Sequence, residues 1–320
     1  MKKYAIGIDL GQTHTRIALV NKTGKIKVFR KLRTSDTSQG IIKAIKKNIE
    51  DILSENKLNF SKDILGIGVA VASPGVNPKD GRLVWNKSLP FSKRFNLLNV
   101  LKKEFNKPVF IDNDLNATVI AEAKIGCLKK IKNGVVLTCS TGVGAGIILN
   151  GDIYRGLSFN AGEVGHMIVN PLDREFACNT GHFGDPDGLA SARSVEKRYF
   201  KKSKKRLEAK EIVKLAKKGD RKALKSLKET AFWLGITIYN IINILDPECI
   251  VIYGNFFLES WSLIKKELQK NIQKSFNPKI SVKKTKLGDN GGILGAAFLV
   301  FYPDNPRVPN LRTKTKAFKN

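Results

Sequence analysis

One pattern occurs twice in this chain, about 130 residues apart. Ala5-Ile6-Gly7-Ile8 runs into a Gly/Thr turn, then Ile17–Val20, then Asn21. Val135-Val136-Leu137-Thr138 runs into a second Gly/Thr turn, then Ile147–Leu149, then Asn150. Each copy reads as two short buried strands joined at a glycine turn. The period is too long for a solenoid. It predicts a duplicated α/β domain in which two similar sheets face each other across a cleft.

The segments around the repeat support an α/β chain. Ile41, Ile45, Ile49 and Ile52 share one face of a predicted helix, with Lys43, Lys46 and Lys47 opposite. Leu65–Ala72 and Val109–Ile111 read as strands, and Leu97–Phe105 and Leu115–Ile125 as helices. The remainder is expected to be mainly helical, over Val195–Phe200, Ala209–Leu227, Glu229–Leu245 and Trp261–Gln273. A strand, Cys249–Tyr253, is expected before the last of these.

Hydrophobic residues make up 42% of the 320, enough for packed cores, so wholesale disorder is excluded. The four cysteines are too few and too scattered for a disulfide scaffold, which fits a reducing compartment. Asp9 interrupts the first apolar run, so no signal peptide is expected. The longest charge-free stretch, Thr230–Leu245, is shorter than the roughly 20 residues that span a bilayer. A soluble, cytoplasmic protein with no membrane partner is expected. The formal net charge is +29, which attracts polyanions, yet the basic residues are spread along the chain. The densest clusters are Lys201–Arg206 and the tail Arg312–Lys319. A lysine-rich surface without a specific nucleic-acid site is the expected meaning.

Three groups of residues carry chemistry. The two turns, Asp9–Arg16 and Ser140–Gly146, combine glycines that let backbone N–H groups approach an anion with threonine hydroxyls that add donors. Neither contains the lysine of a Walker A loop. Asp9 at a strand end is placed to hold Mg²⁺ through water. Asp112-Asn113-Asp114 runs from a strand into a helix. It reads as a helix cap, and also as a source of the carboxylate that phosphoryl transfer to an alcohol needs. The third group is Gly162–His166 followed by Cys178–Asp187. Two of the three histidines lie here beside a cysteine, and His166, Cys178, His182 and Asp185 are the candidate zinc ligands.

Taken in order, these motifs resemble the repressor–ORF–kinase (ROK) family of sugar kinases. The motifs are Asp9–Arg16, Ala72–Gly75, Asp112–Asn116, Ser140–Gly146, Gly162–His166, Leu245–Gly254 and Leu287–Ala297. The resemblance covers about residues 4–300 and implies the actin-like, ribonuclease H-like ATPase fold with two lobes around a cleft. It implies a smaller lobe over 1–112 with the helix near 293–303 packed back on it, a larger lobe over 113–292, and a basic tail over 304–320. It also implies ATP-dependent phosphorylation of a hexose 6-hydroxyl, as in a glucokinase. Asp114 matches the catalytic base. Gly75, Asn86, Asn113, Glu163, His166 and Asp187 match sugar-contacting positions. Gly11, Thr13, Thr141, Gly142 and Gly144 match phosphate-binding positions, and Gly254 the adenosine side. A homodimer or homotetramer is the family's usual assembly.

The departures from the family pattern bear on function. Gln12 stands where a glycine is usual, and Tyr253-Gly254-Asn255 replaces a Gly-Gly pair beside the adenosine. The zinc motif normally has three cysteines after the histidine; here Thr180 and Asp185 replace two of them, which speaks against a tight thiolate site. Asp187 replaces a glutamate. Three other readings follow. The substrate is another hexose or an N-acetylhexosamine; the donor is polyphosphate; or the chain is a catalytically silent sugar-binding or regulatory protein. Retention of Asp9, Asp114 and Glu163 favours the enzyme. The first phosphate-turn strand starts at residue 4, so no DNA-binding helix-turn-helix is expected ahead of it.

Overall fold

The computed structural model describes residues 3–83, 89–91 and 95–303. The first sheet contains β1 (Tyr4–Leu10), β2 (His14–Asn21), β3 (Ile26–Arg33), β4 (Ile64–Val71) and β5 (Val109–Asn113). Its order is β3-β2-β1-β4-β5, with β1, β4 and β5 parallel and the first two hairpins antiparallel. The second sheet contains β6 (Gly134–Cys139), β7 (Val143–Leu149), β8 (Asp152–Ile153), β9 (Cys249–Tyr253) and β10 (Ser281–Lys284). Its order is β10-β9-β6-β7-β8, and the same pairs are parallel and antiparallel. The repeat in the sequence is therefore a repeat of strand order, third-second-first-fourth-fifth, in both sheets.

Side chains alternate across each strand and sort the core into layers. Ile6, Ile8 and Leu10 of β1 face the outer helices α1 (Ser38–Glu55) and α3 (Leu97–Phe105). The short helix α2 (Phe60–Asp63) leads into β4. The isoleucine stripe of α1 is buried, and Thr37 caps it by accepting from the Gly40 N–H at 3.1 Å. In the second sheet Val135 and Leu137 of β6 and Ile250 and Ile252 of β9 face another outer layer. That layer is built from α5 (Pro186–Leu189), α6 (Ala192–Ser203), α7 (Ala209–Lys217), α8 (Arg221–Leu245) and α9 (Asn255–Ile272).

The inner faces meet on α4 (Asp114–Ile125) and α10 (Gly291–Phe301). On this side β1 and β4 carry small residues, Ala5, Gly7, Gly68 and Ala70 among them. Gly7 and Gly68 have no room for a side chain, because a Cβ at Gly68 would sit 2.6 Å from the Ala296 carbonyl carbon. α10 thus lies directly on β1 and β4, and crosses α4 at Gly295.

The helical tail of the chain differs from the sequence reading. Ala209–Leu227 and Glu229–Leu245 were expected as two helices. Instead the break falls at residues 218–220, and α8 runs unbroken from Arg221. Gly219 has φ +93°, and the Asp220 carboxylate accepts from the Ala223 N–H at 2.7 Å, so stop and cap signals coincide there. Lys228 offers no breaker. α9 also starts earlier than expected, at Asn255, directly after Gly254 with φ +97°. No helix of the described residues is long and apolar enough to cross a membrane. The basic tail lies outside the described residues.

Candidate active site

The carboxyl ends of β1, β4, β5 and β6 and the N-termini of α4 and α9 converge on one cavity of about 490 Å³. Such crevices beyond strand ends are where open α/β sheets take ligands. Asp9, Gly11, Thr141, Gly142, Gly144 and Gly254 line it; Thr13 does not. Asn113, Asp114 and Glu163 line it as well. Gly75, His166 and Asp187 do not, and Asn86 lies outside the described residues.

Each turn is fixed by its own hydrogen bonds. In the first, the Gly11 N–H donates to the His14 carbonyl at 3.1 Å and the Thr34 hydroxyl to the Gly11 carbonyl at 2.7 Å. In the second, the Ser140 N–H donates to the Gly142 carbonyl at 2.9 Å. Asp187 stands behind this turn, accepting from the Val143 N–H at 2.7 Å. A Cβ on Gly144 would meet the Leu115 side chain at 2.8 Å, and one on Gly254 the Thr138 hydroxyl at 2.8 Å. Gly254 also opens the 18-residue α9, whose N-terminus faces the cavity with Asn255.

The acidic strand end separates into three jobs. Asp112 is fully buried; it accepts from the Asn113 N–H at 2.8 Å, from Asn116, and from Arg155 Nε at 3.0 Å. This charge-assisted pair ties β5 to the loop after β8. Asn113 caps α4, accepting from the Leu115 and Asn116 N–H groups, and donates to the Ser73 carbonyl at 3.0 Å. The Asp114 carboxylate accepts from the adjacent Leu115 N–H at 3.0 Å, and the residue lines the cavity. Burial, then the charges of Asp9 and Glu163, push its carboxyl up to about 7. Glu163 is also raised, mainly by burial.

Glycines explain how the Gly162–His166 segment reaches the site. Gly162 has φ +92° and lies flat on Ala145, whose N–H donates to the Gly162 carbonyl at 2.7 Å; Gly165 lies equally close to the Val143 carbonyl. The chain is thereby pressed onto β7, with Glu163 in the cavity and His166 turned to a second cluster. There His166, Cys178, His182 and Asp185 each offer one donor atom, and these atoms lie within 4.8 Å of one another. The Thr180 hydroxyl is 2.9 Å from Cys178 Sγ and 3.0 Å from His182 Nδ1. One oxygen of Asp185 accepts from the Gly188 N–H at 2.8 Å, and the other is 3.4 Å from His166 Nδ1.

Two groups had no role in the sequence reading. Arg155 is one, because its contact with Asp112 depends on the fold. Arg16 is the other. It stands opposite Asp9 in the first hairpin, and its guanidinium pairs with the Asp9 carboxylate. Burial lifts the Asp9 carboxyl, and Arg16 partly offsets this. Burial also works against the charge on Arg16, but Asp9 outweighs it. Hairpin arithmetic makes this pair legible: a turn closing at Gly11 and His14 puts residues 9 and 16 opposite each other.

Known proteins share this pattern over most of the chain. The glucokinase of Halalkalibacterium halodurans is 29% identical over 324 residues, 95% of this chain and 96% of that protein. The xylose repressor of Caldicellulosiruptor bescii is 30% identical over 92% of this chain and 77% of its own length. Among solved structures, a ROK family glucokinase from Streptomyces griseus, in complex with glucose and AMPPNP, superposes with a TM-score of 0.80 at 24% identity. That likeness covers 92% of this chain and 98% of the other and shows the same fold. The ROK family model matches residues 5–302. Sequence pattern, doubled sheet topology and family match coincide over the same span, and the chain belongs to the ROK family.

Proposed function

We propose that this protein transfers the γ-phosphoryl group of ATP to the 6-hydroxyl of a hexose, as a glucokinase does. The observation that carries the reading is Asp114, a carboxyl that lines the same cavity as both glycine turns. Asp114 takes the hydroxyl proton while the sugar oxygen attacks phosphorus, and the bond to the β-phosphate oxygen breaks to release ADP. Backbone N–H groups of the turns steady the phosphate charge. Asp9 would hold Mg²⁺, which would supply further charge compensation when bound. Glu163 and Asn113 face the sugar, whose hydroxyls need partners once water leaves. The lobes are residues 1–112, with α10 packed on them, and 113–292; the Asp112–Arg155 pair bridges that division. A coupled assay with ATP across glucose, mannose and N-acetylglucosamine tests the reading, with polyphosphate as a second donor. Turnover with at least one sugar and ATP is expected; none with any sugar overturns it.

The second cluster fits a divalent cation of the zinc type. A thiol, two imidazoles and a carboxylate make a four-donor set, and Thr180 orients two of its members. The ion would cross-link the segment after β8 and has no part in the transfer. The purified protein is expected to carry about one zinc per chain. Chelation should lower its melting temperature, and added zinc should restore it. Metal analysis and a thermal melt check this; a metal-free protein that melts unchanged after chelation removes the site.

A further inference from the structure

The Asp9–Arg16 pair has neighbours that give it a direction. Arg16 Nη1 donates to the Asp289 carbonyl at 2.7 Å, and the Tyr253 hydroxyl donates to the same carbonyl at 3.3 Å. Asp9, Arg16, Tyr253 and Asp289 all line the cavity that holds Gly11 and Gly142. The wall behind Asp9 is closed, since a Cβ at Gly292 would lie 2.8 Å from an Asp9 oxygen. Asp9 is buried and Arg16 half-buried, so each charge compensates the other where solvent reaches them poorly.

That compensation matters for a metal. A carboxylate already neutralised by a guanidinium gives a free divalent cation little net attraction. A guanidinium drawn away from its carboxylate, in turn, needs another anion. A nucleotide's phosphates are the anions that the proposed reaction brings into this cavity, and the guanidinium fork matches phosphate oxygens.

We propose that Arg16 is a phosphate-binding residue that exchanges partners: it holds Asp9 in the free protein and passes to the terminal phosphates of the nucleotide when the metal–nucleotide complex enters. Free metal is thereby kept off Asp9, and metal and nucleotide bind together. This rests on the kinase reading and adds to it an order of binding and a further contact.

Mn²⁺ binding, read by its electron paramagnetic resonance signal, tests the exchange with and without ADP. Wild type should bind free Mn²⁺ weakly and Mn²⁺–ADP tightly. Arg16→Gln should invert the pattern: free Mn²⁺ affinity rises about tenfold and Mn²⁺–ADP affinity falls at least tenfold. Arg16→Lys keeps a cation without the fork. It should leave free Mn²⁺ binding weak and lower Mn²⁺–ADP affinity by a smaller factor. If Arg16→Gln does not fold, the lysine variant decides, and wild-type Mn²⁺–ADP affinity in it overturns the exchange. Unchanged Mn²⁺–ADP affinity in Arg16→Gln overturns it too, while the kinase reading stands. A wild type that binds no Mn²⁺–ADP overturns both.

Discussion

Asp114→Asn is expected to slow sugar phosphorylation by about 10²–10⁴-fold, the usual contribution of a positioned base. Sugar affinity should change little, because the amide keeps the shape and the cap of α4 comes from Asn113. The pH profile makes the test specific. The Asp114 carboxyl of the free protein titrates near 7, so wild-type kcat/KM should rise through that pH and level off above it. In the Asn variant the residual rate should lose that inflection. An inflection that persists would assign it to another group and remove Asp114 from the chemistry.

The same raised pKa has a consequence for stability. In the unfolded chain the group titrates near 3.8, well below its value in the fold. Between those two pH values the folded state holds the proton more tightly, so stability falls as pH rises through the window. Below 3.8 the burial of Asp114 carries no charge penalty; above about 7 the penalty is complete. Asp114→Asn should therefore be more stable than wild type at pH 8, by on the order of 2 kcal/mol with the cavity water screening part of the shift. Near pH 4 the two should converge. Urea denaturation at both values measures the difference, and a gain at pH 4 equal to that at pH 8 would contradict the burial argument. A stabilising loss of activity is what a functional carboxyl buried at a cost to its charged form produces.

What the sequence made legible was local or periodic. The doubled strand-turn-strand pattern anticipated both hairpins, because alternation and glycine turns are read within a dozen residues. The convergence of Asp9, Gly11, Asp114, Thr141 and Glu163 on one cavity was anticipated through motif order. The helical tail was less legible. The sequence reading puts a helix break at Lys228, whereas backbone chemistry puts it at Gly219-Asp220. β10 is short, half-exposed and lysine-rich, and takes its strand form from pairing with β9 rather than from its own residues. Arg155 carried no signal at all, since the partner that gives it meaning is 43 residues away. His182 was legible by its company, a cysteine and a second histidine, and the fold brings it to both of them.

Gly295→Ala is expected to destabilise the whole protein, against its helix propensity. Residue 295 lies inside α10, where alanine is favoured over glycine by about 1 kcal/mol on intrinsic grounds. The site decides otherwise. A Cβ there would lie 2.9 Å from Ala117 Cα and closer still to the Ala117 carbonyl, all of it backbone of α4. No rotamer relieves such an overlap; one helix has to move. On its other side α10 is held against β4, where Gly68 leaves no slack. Overpacking of this kind costs about 3 kcal/mol or more, out of a total stability of about 5–15 kcal/mol. The melting temperature should fall by about 4 °C or more. Any shift also reaches the chemistry, because α4 begins at Asp114, one turn before Ala117. The folded fraction should show a lowered kcat with nearly unchanged KM for ATP. Gly288 provides the contrast: it has φ +55° and nothing within 4 Å, so Gly288→Asn should cost less than about 1 kcal/mol. If Gly295→Ala melted at or above the wild-type temperature, propensity would have prevailed over packing, and α10 would not lie on α4 as closely as Gly295 requires.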